Sequence, residues 1–421
     1  MSYYINIKRM IKNIASAFLL FISTFAFAQQ GTSSPYSFYG IGDVRFKGTI
    51  ENRAMGGITS QADSIHVNLQ NPAYYSPIRL TSFTVGATFG SGKIESNTDA
   101  SKAQRTSLDY IAAVIPTKKM GFAFGVMPYS SVGYNVLNTT NSNLIRQYSG
   151  SGGINKVFFG TAYSLTPNFS IGADVQYNFG RIETKAINAY DGVEYATREV
   201  NVSNATGVNY NFGLRYQKSY KKSYFIYTAL MYSPESTLRF KNDRTLALIS
   251  SGASEIVIQE ESLNVADSKL KMPSKIDFAL GFGKKNQWSI GANVLVQNSS
   301  NFGNRYNEID NVKFETATRF SFGGYIVPNY KSFTSYFQRV VYRAGFRYEN
   351  TGLIINDKSI MDTAVTAGLG LPLRGTFSNM NLVFEYGKRG TQTNGLVQER
   401  YLNVGFSLSF NDQWFQKRKF D

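Results

Sequence analysis

The chain of 421 residues has no cysteine, one histidine, two tryptophans and ten prolines, and only 17% of it is charged. Without cysteine there can be no disulfide, no thiolate metal site and no lipid-modified cysteine at the N-terminus. One histidine leaves little material for catalysis. His66 has Ser64 two residues away, which an extended chain would place on the same face. With no third group to orient it, the pair reads as structural hydrogen bonding, and no enzyme is expected. Asp310 and Asp362 read as residues of separate loops with no site around them. No metal and no cofactor is expected. Beyond the first 28 residues there is no apolar run long enough for a membrane helix.

Those first residues look like a leader. Lys8, Arg9 and Lys12 precede an apolar stretch from Ile14 to Phe27, and Ala26-Phe27-Ala28 offers a cleavage site before Gln29. The stretch is too short to span a bilayer comfortably. Three basic residues and no acidic one lie in this leader, so its removal lowers the net charge from +16 to +13. No nucleic-acid motif accompanies that charge. It reads as contact with anionic lipid head groups, including lipopolysaccharide.

What the chain does have is alternation. Near its end Leu402, Val404, Phe406, Leu408 and Phe410 fall on one face of a strand, and Tyr401, Asn403, Gly405, Ser407 and Ser409 fall on the other. The pattern recurs in Phe169–Phe179, Val208–Tyr216, Ile276–Phe282, Trp288–Val296 and Tyr342–Tyr348. Fourteen strands are expected, near 82–90, 107–115, 119–128, 156–165, 168–182, 206–218, 222–232, 275–284, 287–298, 314–326, 339–349, 362–373, 379–388 and 400–410. Short connections, as at 116–119 and 285–286, alternate with long ones at 91–106, 129–155, 182–205 and 233–274. A sandwich has no reason for that two-sided rhythm. A transmembrane antiparallel β-barrel does, with short periplasmic turns and long outer loops. On this reading Asp174, Arg215, Asp277, Arg343, Arg347 and Glu385 face the lumen, where they either set ion selectivity or hold a plug.

The expected organisation is therefore a signal peptide at 1–28, a segment at 29–80, a barrel at 81–410 and a basic periplasmic tail at 411–421. The segment at 29–80 shows no strand pattern, and its glycines and aromatics suggest packing inside the lumen. Within it, Arg53-Ala54-Met55-Gly56-Gly57, then Asp63, then Asn71-Pro72-Ala73 resembles the hatch entry of FadL-like outer-membrane transport proteins. Lys271-Met272-Pro273, Tyr342–Phe346 and Ala367–Pro372 continue the resemblance along the mature chain.

The resemblance implies a fourteen-stranded barrel of the Gram-negative outer membrane. An N-terminal hatch would fill it, and an inward kink of the third strand would open its wall sideways to hydrophobic molecules. Here Pro128 and Gly133 are the candidate opening, or Pro128 simply ends the strand at the rim. Tyr129, Tyr134 and Val136 are candidate ligand contacts. The alternative function is a non-transporting subunit of an outer-membrane machine for protein secretion or barrel assembly, with other outer-membrane proteins as partners. It is suggested by the charged stretch at 233–274, by the Lys417-Arg418-Lys419 tail and by the lack of an apolar loop cluster. An open diffusion porin would need the hatch out of the lumen.

Overall fold

The computed structural model describes residues 31–413, except 46, 61, 63, 142, 222, 251–254, 301, 305–310 and 374–375, and only the backbone of 139–141. The leader, Asp63 and the Lys417-Arg418-Lys419 tail lie outside the described residues.

Fourteen antiparallel strands close into one barrel. In chain order they are Thr81–Glu95, Ala100–Pro116, Met120–Asn141, Leu144–Ser164, Phe169–Tyr190 and Tyr195–Tyr220. The seventh is Tyr224–Ser233 continued by Ser236–Ser250, and the eighth is Val257–Asn264, Ser268–Met272 and Lys275–Lys284 in succession. Trp288–Gln297 is the ninth, and Val312–Phe314 with Ala317–Ile326 the tenth. Val341–Ile355, Lys358–Pro372, Asn379–Gly390 and Gln398–Asp412 complete the ring. The last strand closes on the first from Gln398 opposite Glu95 to Asp412 opposite Thr81.

Alternation decides which face points where. Phe212 is 51% exposed on the outer face, while its neighbours Asn211 and Gly213 face inward. Phe159, Phe384 and Leu402 are likewise exposed, and Asp174, Arg215, Asp277, Arg343, Arg347 and Glu385 are all buried. An apolar exterior around a polar interior inverts a water-soluble sandwich and suits lipid contact.

The expected long loops are a correction. Most of 91–106, 129–155, 182–205 and 233–274 is strand, which leaves connections of only 96–99, 142–143 and 191–194 at three places on the upper end. The longest turn among 117–119, 165–168, 221–223 and 327–340 at the lower end is 327–340, so loop length does not separate the two ends. Alternation marks only the part of a strand whose outer face needs apolar residues. Above that band the outer face turns polar, while inward residues such as Ile182, Leu238, Phe240 and Leu270 are buried apolar side chains, so the sense of the alternation changes although the hydrogen-bonded ladder continues. The stretch at 233–274 is thus no separate domain. Its residues 236–250 and 257–264 form a hairpin that prolongs the seventh and eighth strands.

Candidate functional site

The segment from Gly31 to Leu80 lies against the inward faces of the barrel. It holds a two-residue strand, Asp43–Val44, a single helical turn, Ile50–Arg53, and two short 3-10 turns, Pro35–Phe38 and Pro72–Tyr75. That two-residue strand is a further departure from the expectation of no strand here.

Charge fixes the middle of the segment. Arg53 donates to Asp109 at 2.9 Å, Glu385 at 3.0 Å and the Thr88 hydroxyl at 2.8 Å. Lys47 Nζ is 2.8 Å from both Glu349 and Asp362. Arg347 is 1% exposed and shares these acids: Glu385 at 2.7 Å, Asp362 at 3.6 Å and Glu349 at 3.6 Å, with the Tyr401 hydroxyl at 3.1 Å. Arg343 donates to Asn381, whose amide donates in turn to Glu51. Asp362, expected in a loop, lies in the twelfth strand at the heart of this cluster. Like Asp109 and Glu349, it carried no signal beyond falling on a polar face, because its partners come from strands far apart in sequence, and Lys47 comes from a segment with no pattern at all.

The two short motifs sit on glycine-bearing strands. Gly56 and Gly57 adopt φ of +73° and +85°, open to glycine but strained for other residues. A Cβ on Gly345 would collide with the Met55 carbonyl, so the bare backbone there is what lets the turn approach. Asn71 caps the second 3-10 turn by accepting from Ala73 N at 2.9 Å. Its amide donates to the Leu230 carbonyl at 3.0 Å and the Leu214 carbonyl at 3.3 Å, which ties Asn71-Pro72-Ala73 to the sixth and seventh strands. The other inward charges stand apart from the central cluster. Asp174 accepts from Gln176 and Asn211, Arg215 donates to Ser170, and Asp277 accepts from Asn293 with Arg319 at 4.0 Å.

The wall parts at a seam between the second and third strands. The second and third strands pair only from Ile111 opposite Val126 to Pro116 opposite Gly121. The third strand does not end at Pro128. It runs on to Asn141, paired with the fourth strand across a register shift between Pro128 and Ser130. Its other edge turns to the N-terminal segment: Asp43 lies opposite Ser131 and Val44 opposite Ser130. Arg45 N donates to the Tyr129 carbonyl at 3.0 Å, and Gly133 N to Ser37 Oγ at 3.1 Å. Proline has no N–H to offer a neighbour, so Pro128 suits the place where the ladder parts. A Cβ on Gly133 would strike the Thr32 carbonyl.

Two cavities flank the seam. Above it, one of about 340 Å³ is lined by Tyr36, Phe38, Tyr39, Tyr134, Val136 and Tyr148, with the Phe38 and Tyr134 rings edge-on at 5.4 Å. Beside the unpaired part of the second strand, a smaller one of about 90 Å³ is lined by charge, including Arg45, Arg105, Arg389 and Glu399. Tyr134 and Val136 therefore line the apolar cavity, while Tyr129 lines another, more polar one with Lys156 and Lys275.

Asp43 pins the edge-capping strand. It accepts from Arg389 at 2.9 Å and stands 3.5 Å from Arg45. Burial pushes its carboxyl upward, but Arg389 and then Lys47 outweigh burial and hold it below the usual carboxylate range. A depressed pKa stabilises the folded state fully above about pH 4 and loses that contribution as pH falls through the lowered value. A spin label on Val44→Cys should therefore keep its mobility from pH 7 to 4.5 and gain it only at stronger acid. The Asp43→Asn variant should be mobile throughout. Mobility rising between pH 7 and 5 would assign the tether to another group.

Solved structures share this fold. The Pseudomonas putida toluene transporter TodX is 15% identical, with a TM-score of 0.58 over 89% of this chain and 100% of its own. The Ralstonia pickettii toluene transporter TbuX is 15% identical, at 0.58 over 87% and 98%. A Pseudomonas aeruginosa FadL homologue is 12% identical, at 0.57 over 89% and 100%. Identities this low speak for a FadL-type fold and nothing finer. No curated protein matches the sequence. A family model does, from residue 10 to residue 421, and by that match the chain belongs to the BamG family.

Proposed function

We propose that this chain is an outer-membrane barrel of Gram-negative bacteria that passes hydrophobic small molecules. Residues 29–80 act as its hatch and the seam beyond Val126 as its lateral opening. The leader is cleaved near Ala28, the barrel spans 81–412, and the tail that follows faces the periplasm at the lower end. The observation that carries the reading is the parted ladder beside an aromatic cavity of about 340 Å³, within the range of small-molecule sites. Affinity there would come from apolar burial, about 25 cal/mol per Å².

A single-cysteine variant tests it without background, since the chain has no cysteine of its own. Val136→Cys, blocked with a bulky maleimide, should lower entry of radiolabelled toluene into intact cells at least tenfold. Leu137→Cys, on the opposite face of the same strand, should label without effect. Equal entry in both would remove the passage reading.

A second reading is favoured by the charged cavity beside the seam. Arg45, Arg105, Arg389 and Glu399 offer an apolar molecule no path inward. On that reading the barrel is a subunit of a larger outer-membrane machine for secretion or barrel assembly. Gentle detergent extraction separates the two: a monomer carrying an apolar molecule supports passage, and stoichiometric co-extraction of other membrane proteins supports the subunit.

A further inference from the structure

The barrel exterior carries a cluster of cations where its apolar band ends. On the outer face of the fifth strand the band closes with Tyr177 and Phe179, and Arg181 follows. On the sixth it closes with Tyr210 and Val208, followed by Thr206 and Asn204. The continuation of the seventh strand then presents Thr237, Arg239 and Lys241, and that of the eighth presents Lys269 and Lys271. Leu238, Phe240 and Leu270 alternate with these and are buried, so the cations share the outward face.

The ladder brings these side chains together. Lys269 lies directly opposite Arg239. Arg239 lies opposite Thr206 on its other side, and Lys241 opposite Asn204, which pairs onward with Arg181. Two of the five cations have acidic partners: Lys271 with Glu235 at 3.4 Å and Arg181 with Glu183 at 2.9 Å. Among the described residues no acidic side chain pairs with Arg239, Lys241 or Lys269. Like charges directly opposite on a sheet repel, and although Asp243 and Asp267 lie on the same outward face, neither forms an ion pair with Arg239, Lys241 or Lys269. A groove of about 560 Å³ runs beneath them, lined by Tyr177, Thr206, Val208, Thr237, Arg239 and Lys269. Its floor is apolar and its upper edge cationic.

We infer that this groove binds a phosphorylated lipid of the surrounding leaflet, with phosphate between Arg239 and Lys269 and acyl chain along Tyr177 and Val208. Arginine and lysine are the side chains suited to phosphate oxygens, and charge-assisted contacts to them are the strong kind. A free phosphate would satisfy the cations but leave the apolar floor unused. Position selects a lipid, because the cations begin on the rungs where the apolar band stops. The inference rests on the barrel lying in a membrane and is independent of whether it passes ligands.

The test uses the full-length protein in detergent micelles, titrated with bisphosphorylated lipid A, with phosphatidylcholine and with inorganic phosphate. Wild type should bind lipid A at least tenfold more tightly than either of the others. The double variant R239Q/K269Q should lose that margin, while K102Q, which removes an exposed cation of the second strand, should keep it. Gel mobility of unheated samples verifies that both variants are folded barrels. Unchanged lipid A binding by R239Q/K269Q overturns the site. Inorganic phosphate binding as tightly as lipid A overturns its assignment to a lipid.

Discussion

Replacing Arg347 by methionine is expected to destabilise the protein by about 3–5 kcal/mol. The guanidinium is almost fully buried and serves Glu385, Asp362 and Glu349 together. Methionine fills similar volume, so packing alone accounts for little of the loss. The loss comes from three carboxylates left with less compensation, because a buried charge deprived of its partner costs far more than the pair contributes when intact. Lys47 still reaches Glu349 and Asp362, and Arg53 still reaches Glu385, so unfolding is not expected to be complete. The temperature at which the folded form converts to the slower-migrating unfolded form on gels should fall clearly. The double variant R347M/E385M should recover part of that fall, since it removes one uncompensated acid along with the cation. Equal loss in the single and double variants would locate the cost in packing and not in charge.

An arginine at Phe212 should cost about 2–4 kcal/mol if that position lies near the bilayer midplane. Phe212 is half exposed on the outer face of the sixth strand, with Tyr210 and Leu214 as same-face neighbours. Leucine at the same place should stay within about 1.5 kcal/mol, because it keeps the surface apolar. The denaturant midpoint for reversible folding into vesicles reads both. The adjacent Asn211 answers to a different physics: its amide donates to Asp174 at 3.0 Å inside the barrel. Asn211→Leu should therefore disturb the interior without hindering insertion. A small effect of Phe212→Arg would mean that this face does not meet hydrocarbon.

Much of the barrel could be read from the chain because lipid enforces a rule at every second residue. The strand at 400–410 and the one at 168–182 needed only their alternating apolar faces to be placed. The same rule goes silent above the band. Nothing in Ser101-Lys102-Ala103-Gln104-Arg105 or Asn201-Val202-Ser203-Asn204 demands a strand, and these segments pair only because a ladder already begun below extends into them. Inward charges such as Arg347 and Glu385 were legible as facing in, but not as one cluster. Which acid meets which base depends on the stagger between strands and on Lys47 and Arg53 arriving from a segment with no periodicity. Asp43–Val44 shows the limit most clearly. Two residues carry no pattern, and they form a strand only because the third strand offers an edge that the second has left.

The unequal heights of the strands give the molecule a front and a back. The third to sixth strands run for 22, 21, 22 and 26 residues, whereas the ninth has 10. At about 3.3 Å per residue the sixth is roughly 85 Å long, about two and a half times what a bilayer core requires. The ring thus rises on one flank like a parapet and stays near lipid level on the other. A neighbour drifting in the membrane plane meets a tall hydrogen-bonded wall from one azimuth and a low rim from the opposite one. Anything too bulky to climb the wall must reach the mouth over the lower flank formed by the ninth to fourteenth strands.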